Sequence, residues 1–209
     1  VINPNTNTVT DTINVGGAPD GIAFDGTNLY VANYSDDNVS VIDPNTNTVT
    51  DTITVGDVPR GVAFDGTNVY VANYLDGTVS IIDPNTNTVT DTITVGGGPD
   101  GIAFDGTNVY VANLDDNNVS VIDPNTNTVT NTITVGDEPL AVAFIGASIY
   151  IANSRDNTVS VIDPNTNTVI DTIAVGSRPG DIAFDGNNIY ITNTSSDNVS
   201  VIEPNNNTV

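Results

Sequence analysis

The chain has 209 residues, of which 26 are Asp or Glu and three are Arg, so its formal net charge is −23. It contains no Lys, His, Cys, Met or Trp, which excludes disulfides and the usual ligands of zinc, copper and haem iron and removes the commonest general base. The negative field disfavours binding to nucleic acid or anionic lipid surfaces and favours solubility at a cell exterior. No apolar run is long enough to span a membrane.

The sequence repeats with a period of 40 residues, without insertions or deletions. Pro59, Phe64, Tyr70 and Asn73 have identical counterparts in all the other units. A strict period of this length indicates stacked supersecondary units, none of which can bury its own apolar face. We therefore expect one domain that spans residues 1–209.

Each unit contains four short alternating runs separated by turn signals. In the unit at residues 56–95 these runs are strands A (61–64), B (68–73), C (78–83) and D (88–95). Asp-Gly pairs follow strands A and B, and a Pro-Asn-Thr-Asn turn follows strand C. Four strands in about 40 residues are typical of a propeller blade. A parallel β-helix is the alternative, but it would have shorter rungs and fewer turns.

The fold predicted from these runs is an all-β, five-bladed β-propeller of four-stranded antiparallel blades. The expected blades are residues 20–55, 60–95, 100–135, 140–175, and 180–203 together with 8–15. Pairing residues 8–15 with residues 199–203 would complete the fifth blade and close the ring through the N-terminal strand, an arrangement known as velcro closure. Residues 1–9 and 201–209 are copies of one segment, so we expect only one of them in the ring and the other frayed or paired with a neighbouring subunit.

The stretches NLYVANYSDDNVSVIDPNTNTVTDTI and NVYVANLDDNNVSVID resemble the YVTN-type β-propeller repeat of prokaryotic surface and secreted proteins. The resemblance covers all five units, and it implies a fold more than a function because the shared residues belong to strands and turns. Propellers of this family more often have more blades, so five blades either close by themselves or belong to something larger. Since Val1 falls inside a repeat unit, we expect the chain to be a mature or excised segment.

The connections between strands are predicted to lie on two faces, one constant and one variable. The A–B and C–D turns hardly change among units, whereas the D–A and B–C loops differ in nearly every unit and contain all three Arg residues. Arg, Tyr and Leu on loops of a rigid, acidic scaffold are typical of a recognition surface, although neutral drift of the loops is an alternative. The predicted partner-binding residues are Arg60, Arg155, Arg178, Tyr34, Tyr74, Leu75, Leu114 and Leu140.

Three further sets of residues suggest chemical hypotheses. Asp25, Asp65, Asp105 and Asp185 follow strand A and could hold Ca²⁺ at one mouth of the channel, but each precedes a Gly and fits an ordinary hairpin turn better. An Asn ends strand B in every unit, at positions 33, 73, 113, 153 and 193, where it is expected to be structural, either in a hydrogen-bond ring or as a cap for the following loop. Among several N-x-[ST] sequons, Asn38, Asn118 and Asn198 share one position and are the first candidates for glycosylation in an exported protein.

No nucleophile–base pair is recognisable, because His, Lys and the G-x-S-x-G motif are all missing. Paired carboxylates could hydrolyse sugars, but every Asp has an explanation in a turn or on a strand face.

We predict a non-enzymatic, extracellular or cell-surface binding or structural module, S-layer-like or adhesive, with a protein or glycan partner and no cofactor. The alternative is a propeller subunit or fragment of an enzyme or electron-transfer protein of lactonase, lyase or quinoprotein type. Self-assembly through the redundant terminal segment is a third hypothesis.

Overall fold

The computed structural model describes all 209 residues, which form 21 strands joined by turns, with no helix long and apolar enough to cross a membrane. In chain order the strands are β1 (Ile2–Asn3), β2 (Thr8–Val9), β3 (Pro19–Phe24), β4 (Leu29–Asn33), β5 (Asn38–Asp43), β6 (Thr48–Thr54), β7 (Pro59–Phe64), β8 (Val69–Asn73), β9 (Thr78–Asp83), β10 (Thr88–Thr94), β11 (Pro99–Phe104), β12 (Val109–Asn113), β13 (Asn118–Asp123), β14 (Thr128–Thr134), β15 (Pro139–Ile145), β16 (Ser148–Asn153), β17 (Thr158–Asp163), β18 (Thr168–Ala174), β19 (Pro179–Phe184), β20 (Ile189–Asn193) and β21 (Asn198–Ile202).

The strands form five consecutive antiparallel blades around a central channel, which confirms the predicted five-bladed β-propeller. Blades 1 to 4 each contain four strands in sequence order, from β3–β6 to β15–β18. Blade 5 contains the three strands β19–β21, and β1 and β2 form a separate hairpin. Strand A of every blade lines the channel.

Local sequence explains the turns. Gly66 has a φ of +97° in the turn between strands A and B, a conformation that glycine adopts without steric cost. In the turn between strands C and D, Asp83 accepts a hydrogen bond from the backbone N–H of Asn85 at 2.8 Å, and Asn87 adopts a left-handed φ of 53°. Asp, Asn and Gly are the residues that such turns favour, and this accounts for the constancy of both turns among the blades.

The hydrophobic core consists of four layers, each between two consecutive blades. Between blades 1 and 2, strands B and C of blade 1 contribute Tyr30, Val39 and Val41, and blade 2 contributes Val62 and Val69. Equivalent layers join blades 2 and 3, blades 3 and 4, and blades 4 and 5. Full burial of one such side chain stabilises a fold by about 1.5–3 kcal/mol, so packing between blades dominates the stability.

The innermost strands approach each other so closely that three positions exclude a side chain. A Cβ atom on Gly61 would overlap the backbone carbonyl oxygen of Asp100 in the next blade. Gly21 and Gly101 make the same contact with the blades that follow them. Ala141 holds the equivalent position in blade 4, so a single methyl group fits between blades 4 and 5.

The predicted velcro closure is wrong in its pairing. The N-terminal segment forms its own hairpin, in which Ile2 pairs with Val9 and Asn3 with Thr8, and residues 10–15 belong to no strand. The copy of this segment in blade 5 forms the same turn, with a bridge between Glu203 and Thr208. Both copies are therefore folded, contrary to the expectation that one would fray. A contact within nine residues costs less loop entropy than pairing the two ends of the chain.

No apolar layer joins blade 5 to blade 1. Ile22 on blade 1 is 58% exposed, whereas its counterpart Val62 is 9% exposed inside a layer. On blade 5, Val199 and Val201 are 53% and 41% exposed, although their counterparts in the other four blades are fully buried. The outer faces of the first and last blades thus keep the apolar side chains of an interblade contact without making one.

We expect Gly61→Ala to lower the free energy of unfolding by about 1–3 kcal/mol, because the added methyl group forces two inner strands apart. Gly180→Ala is the matched control on strand A, since its Cβ would lie 3.4 Å from side-chain atoms of Thr192 and Thr194, an ordinary contact distance. Urea denaturation followed by circular dichroism measures both changes. Equal losses in the two variants would show that the close approach of the inner strands does not limit this position.

Candidate partner-binding face

The D–A and B–C loops lie together on one face of the propeller, as the sequence predicts. Within blade 2, the backbone N–H of Asp57 in the D–A loop donates to the carboxylate of Asp76 in the B–C loop at 2.8 Å. Between blades, the N–H of Val58 donates to Asp37 Oδ1 of blade 1 at 2.9 Å. Equivalent bonds recur around the propeller, so the variable loops are held on a hydrogen-bonded frame.

Arg60 lies in β7, on the innermost strand of blade 2, and not in the preceding loop as the sequence suggested. Its Nη1 donates to Asp100 Oδ2 on blade 3 at 2.6 Å. Its guanidinium lies 4.3 Å from the ring centre of Tyr74 and 5.4 Å from that of Tyr34, within the range of cation–π contacts. Three predicted site residues are thus brought together, but Arg60 is already bound within the protein.

Asp100 is the acidic member of this cluster at the mouth of the channel. Burial raises the pKa of the Asp100 carboxyl above its ordinary value, the Arg60 guanidinium opposes that change, and nearby Asp20 adds to it. The channel has a volume of about 540 Å³, and its lining includes Asp20, Arg60, Asp100 and Leu140. Asp20, Arg60 and Asp100 occupy one position in three successive repeats. That register was the signal that could have identified both aspartates from the sequence.

Arg155 and Arg178 form a second, more exposed cluster around Glu138. The Arg155 and Arg178 side chains are 71% and 63% exposed, and they lie 3.8 Å and 4.0 Å from the Glu138 carboxylate. Exposed ion pairs at such distances contribute about 0–1 kcal/mol, so both guanidinium groups remain available to another molecule. The sequence did not single out Glu138 as part of the site.

The three leucines of the predicted patch occupy different environments. Leu75 is exposed in the B–C loop of blade 2, as expected. Leu114 and Leu140 are half-buried, and Leu140 lies in β15 and lines the channel. Leu114 thus lies in the B–C loop of blade 3 as predicted, whereas Leu140 belongs to strand A and not to the preceding loop, because the strand begins at Pro139.

The aspartates considered for Ca²⁺ act as turn caps. Asp65 Oδ1 accepts hydrogen bonds from the backbone N–H groups of Thr67 and Asn68 at 2.7 Å, and Asp65 Oδ2 accepts one from the Tyr70 hydroxyl at 2.9 Å. Asp25 and Asp185 make the same three contacts, and Asp105 makes the two backbone contacts. The structure does not bring these carboxylates together, and no group of three Asp, Glu, His or Cys residues is placed to hold a metal ion.

Comparison with known proteins places this geometry in a family. The family described as YNCE-like beta-propeller matches residues 17–95 and 58–144, which together make up more than half of the chain. The chain belongs to this family. Membership agrees with the five blades and confirms the resemblance to YVTN-type repeats.

Known structures add one informative similarity. A hydrazine synthase structure from Kuenenia stuttgartiensis is 26% identical in sequence, with a TM-score of 0.81. The match covers 94% of this YNCE-like propeller and 66% of the hydrazine synthase chain, so the propeller spans somewhat less than two thirds of that chain. No curated protein matches the sequence.

The Asn residues that end strand B form a buried network in each blade. Asn33 Nδ2 donates to Asn38 Oδ1 at 2.7 Å and to Ser40 Oγ at 2.9 Å.

The sequon residue Asn38 in turn donates through Nδ2 to the carbonyl of Asp36, and Asn118 makes the same bond in blade 3. A glycan on either residue would leave Nδ2 with one N–H group instead of two, whereas Asn198 is exposed and makes no such donation. Glycosylation of the three residues stays a prediction.

The Arg60–Asp100 pair gives a pH-dependent prediction. Because the folded-state pKa of Asp100 is raised, the native state binds more protons than the unfolded state, and stability falls as the pH rises through that pKa. In Arg60→Ala the opposing positive charge is gone, so the pKa of Asp100 should rise further, and more stability should be lost between acid and neutral pH. NMR titration of the carboxyl carbons and urea denaturation at several pH values measure these effects.

Arg178→Ala is the control for this titration, because it removes the same charge from an exposed pair. It should leave the Asp100 titration unchanged. Superimposable Asp100 titration curves for the wild-type protein and Arg60→Ala would contradict the ion pair.

Proposed function

We propose that the protein is a non-enzymatic, extracellular or cell-surface binding or structural module that contacts a protein or glycan through its D–A and B–C loops. The observation that carries the proposal is the side-chain content of the D–A loops. Their third residue has a left-handed φ of 49–63° in every blade, where glycine fits freely. Only blade 3 has glycine there, and the other blades have Ala18, Val58, Glu138 and Arg178.

A side chain in this conformation costs of order 1–3 kcal/mol, and a β-branched residue such as Val58 is especially unfavourable. The left-handed positions of the C–D turns carry Asn, which tolerates that conformation. Residues that fit the left-handed conformation poorly therefore occur mainly in the D–A loops, on the variable face. Strain of this kind is commonly retained where the side chain is needed for binding.

The polarity of the face supports the same conclusion. Arg155 and Arg178 are the two exposed positive charges on a chain of net charge −23, and Leu75 is exposed on the same face. Arginine and apolar residues are enriched where proteins recognise partners. The two guanidinium groups lie on either side of one carboxylate, Glu138, and their remaining N–H groups could donate to an acidic or carbonyl group of a ligand.

A second candidate is a propeller component of an enzyme or electron-transfer assembly. The similarity to the hydrazine synthase structure favours it, because a propeller of this shape occurs there. Against it, the chain has no His, Lys or Cys with which to supply an acid–base group, a nucleophilic amine or a haem attachment. In such an assembly the chain would have to act as scaffold.

The proposal is tested by binding to immobilised prokaryotic cell-surface polysaccharides and purified surface-layer proteins. The wild-type protein should bind at least one of them, and the double variant Arg155→Ala/Arg178→Ala should bind at least about tenfold more weakly, equivalent to about 1.4 kcal/mol. The matched control is Thr67→Asp/Thr107→Asp, which changes the net charge equally on exposed residues of the opposite face. Absence of binding, or equal binding by both double variants, would contradict the proposal.

A further inference from the structure

A polar groove opens between consecutive blades. The groove between blades 1 and 2 is lined by Val55 and Gly56, which follow strand D of blade 1, and by Asn73, Ser80 and Thr92 of blade 2. Its volume is about 460 Å³, and the corresponding grooves between blades 2 and 3 and between blades 3 and 4 have volumes of about 320 Å³ and 380 Å³. Small-molecule sites commonly have volumes of about 300–1,000 Å³, so each groove is large enough for a small ligand.

The polar lining is the same in all three grooves, although they open beside loops that vary. In the first groove it includes the side chains of Thr54, Asp76, Ser80 and Thr92. The residues 40 and 80 positions later are identical and line the second and third grooves. Thr54, Asp76 and Thr92 are exposed, so their polar groups are accessible to another molecule. Each groove therefore presents several hydroxyl groups and one carboxylate.

Hydrogen bonds at the inner end of the first groove leave further polar groups available. Asn73 is fully buried, and its Nδ2 donates to Thr78 Oγ1 at 3.0 Å and to Ser80 Oγ at 2.9 Å. Both hydroxyl groups act as acceptors in these bonds, and a hydroxyl group also has one hydrogen to donate. Asn73 Oδ1 accepts no hydrogen bond within the protein, and neither does Oδ1 of Asn113 or Asn153 in the next two blades. A buried acceptor without a donor is unfavourable, so this end of the groove favours a ligand that brings hydroxyl groups.

A glycine keeps each groove open at this end. A Cβ atom on Gly56 would lie 2.7 Å from Asn73 Cγ, closer than side chains pack. Gly96 and Gly136 lie equally close to the Asn of the next two blades. None of the three glycines has a positive φ, so the backbone conformation does not require glycine. The space beside the buried Asn is what requires it.

We propose that these three grooves are saccharide-binding sites, each of which takes a neutral sugar unit of a glycan. Their hydroxyl groups, carboxylate and amide provide donors and acceptors for the hydroxyl groups of a sugar ring, and Val55 and Val89 provide apolar contacts for its C–H groups. The inference rests on the proposed function as a binding module. It names the glycan as the partner and assigns it a site separate from Arg155 and Arg178.

Other ligands fit the groove less well. Asp76 repels an acidic ligand, and no positively charged side chain lines the groove. A Ca²⁺ ion needs six to eight oxygen ligands, whereas the groove has one carboxylate, whose Oδ2 already accepts the N–H of Asp57 at 2.8 Å. Ser80 and Thr92 lie opposite each other on the paired strands β9 and β10, so the groove offers no free strand edge to an extended peptide.

The repetition of the groove determines the kind of glycan that binds well. A groove open to solvent and without an aromatic side chain should bind a monosaccharide with a dissociation constant on the order of 1 mM. A polysaccharide that reaches two or three grooves at once gains from the high effective concentration of its next sugar unit. We therefore expect weak binding of monosaccharides and tighter binding of polymers of the same sugar.

Two-dimensional ¹H–¹⁵N NMR titration with glucose, galactose, mannose and N-acetylglucosamine tests the sites. At least one of these sugars should shift the amide signals of Gly56, Gly96 and Gly136 together. The triple variant Thr92→Val/Thr132→Val/Thr172→Val removes one hydroxyl group from each groove without changing the side-chain shape, and it should bind that sugar at least about threefold more weakly.

The matched control is Thr27→Val/Thr67→Val/Thr107→Val, which removes as many hydroxyl groups from exposed turns of the opposite face. It should bind the sugar as the wild-type protein does. Failure of all four sugars to shift the three glycine signals, or equal weakening by the two triple variants, would overturn the inference.

The variant Arg155→Ala/Arg178→Ala separates this inference from the proposed function, because it leaves the grooves intact. It should bind the monosaccharide as the wild-type protein does. A wild-type protein that binds an immobilised surface-layer protein through the two arginines, but shows no shifts with any sugar, would contradict the grooves alone. Sugar-induced shifts without any arginine-dependent binding would contradict the loop face alone.

Discussion

Packing of one blade on the next is the interaction on which the rest of the structure depends, because a single blade is a thin sheet with apolar side chains on both faces. Tyr70 and Val79 of blade 2 are buried only because blade 3 covers them. The close approach of the inner strands sets the distance between blades, and glycine at positions such as Gly61 makes that distance attainable. The 40-residue period follows from this requirement, since each blade must present the same two faces to its neighbours.

The acidity of the chain is largely a consequence of its turns. Asp43, Asp83, Asp123 and Asp163 each accept a hydrogen bond from the backbone N–H group two residues later, and this bond lowers the pKa of each carboxyl below its ordinary value. The repetition of one turn therefore adds one negative charge per blade without creating a site for cations. The variable loops are acidic as well, so the exposed guanidinium groups of Arg155 and Arg178 are local exceptions on that face.

The blades could be predicted from the sequence because every determinant of a blade is local: alternation within strands, Asp-Gly turns and the Pro-Asn-Thr-Asn turn. The grouping of loops into two faces follows from the same strand order. The contacts of Arg60 could not be predicted in this way, because Asp100 and Tyr34 belong to the two neighbouring blades and their distances depend on how blades stack. The pairing of the chain ends was mispredicted for a different reason. Residues 1–9 and 201–209 are copies of one segment, and each copy pairs within itself. Such a pairing closes a shorter loop, and therefore costs less entropy, than a pairing between the two ends of the chain.

Blade 5 departs from the repeat on strands A and B and keeps it on strand C. Strand B carries Thr192 where the other blades carry a buried Ala, and the Thr192 hydroxyl accepts a hydrogen bond from the backbone N–H of Asp181 at 2.9 Å. Thr192 and Asp181, which stands where blades 1 to 3 carry glycine, are both exposed polar residues. Val199 and Val201 nevertheless remain apolar on the same face. Strands A and B of blade 5 are thus more polar than their counterparts, whereas strand C keeps the apolar alternation of the other blades.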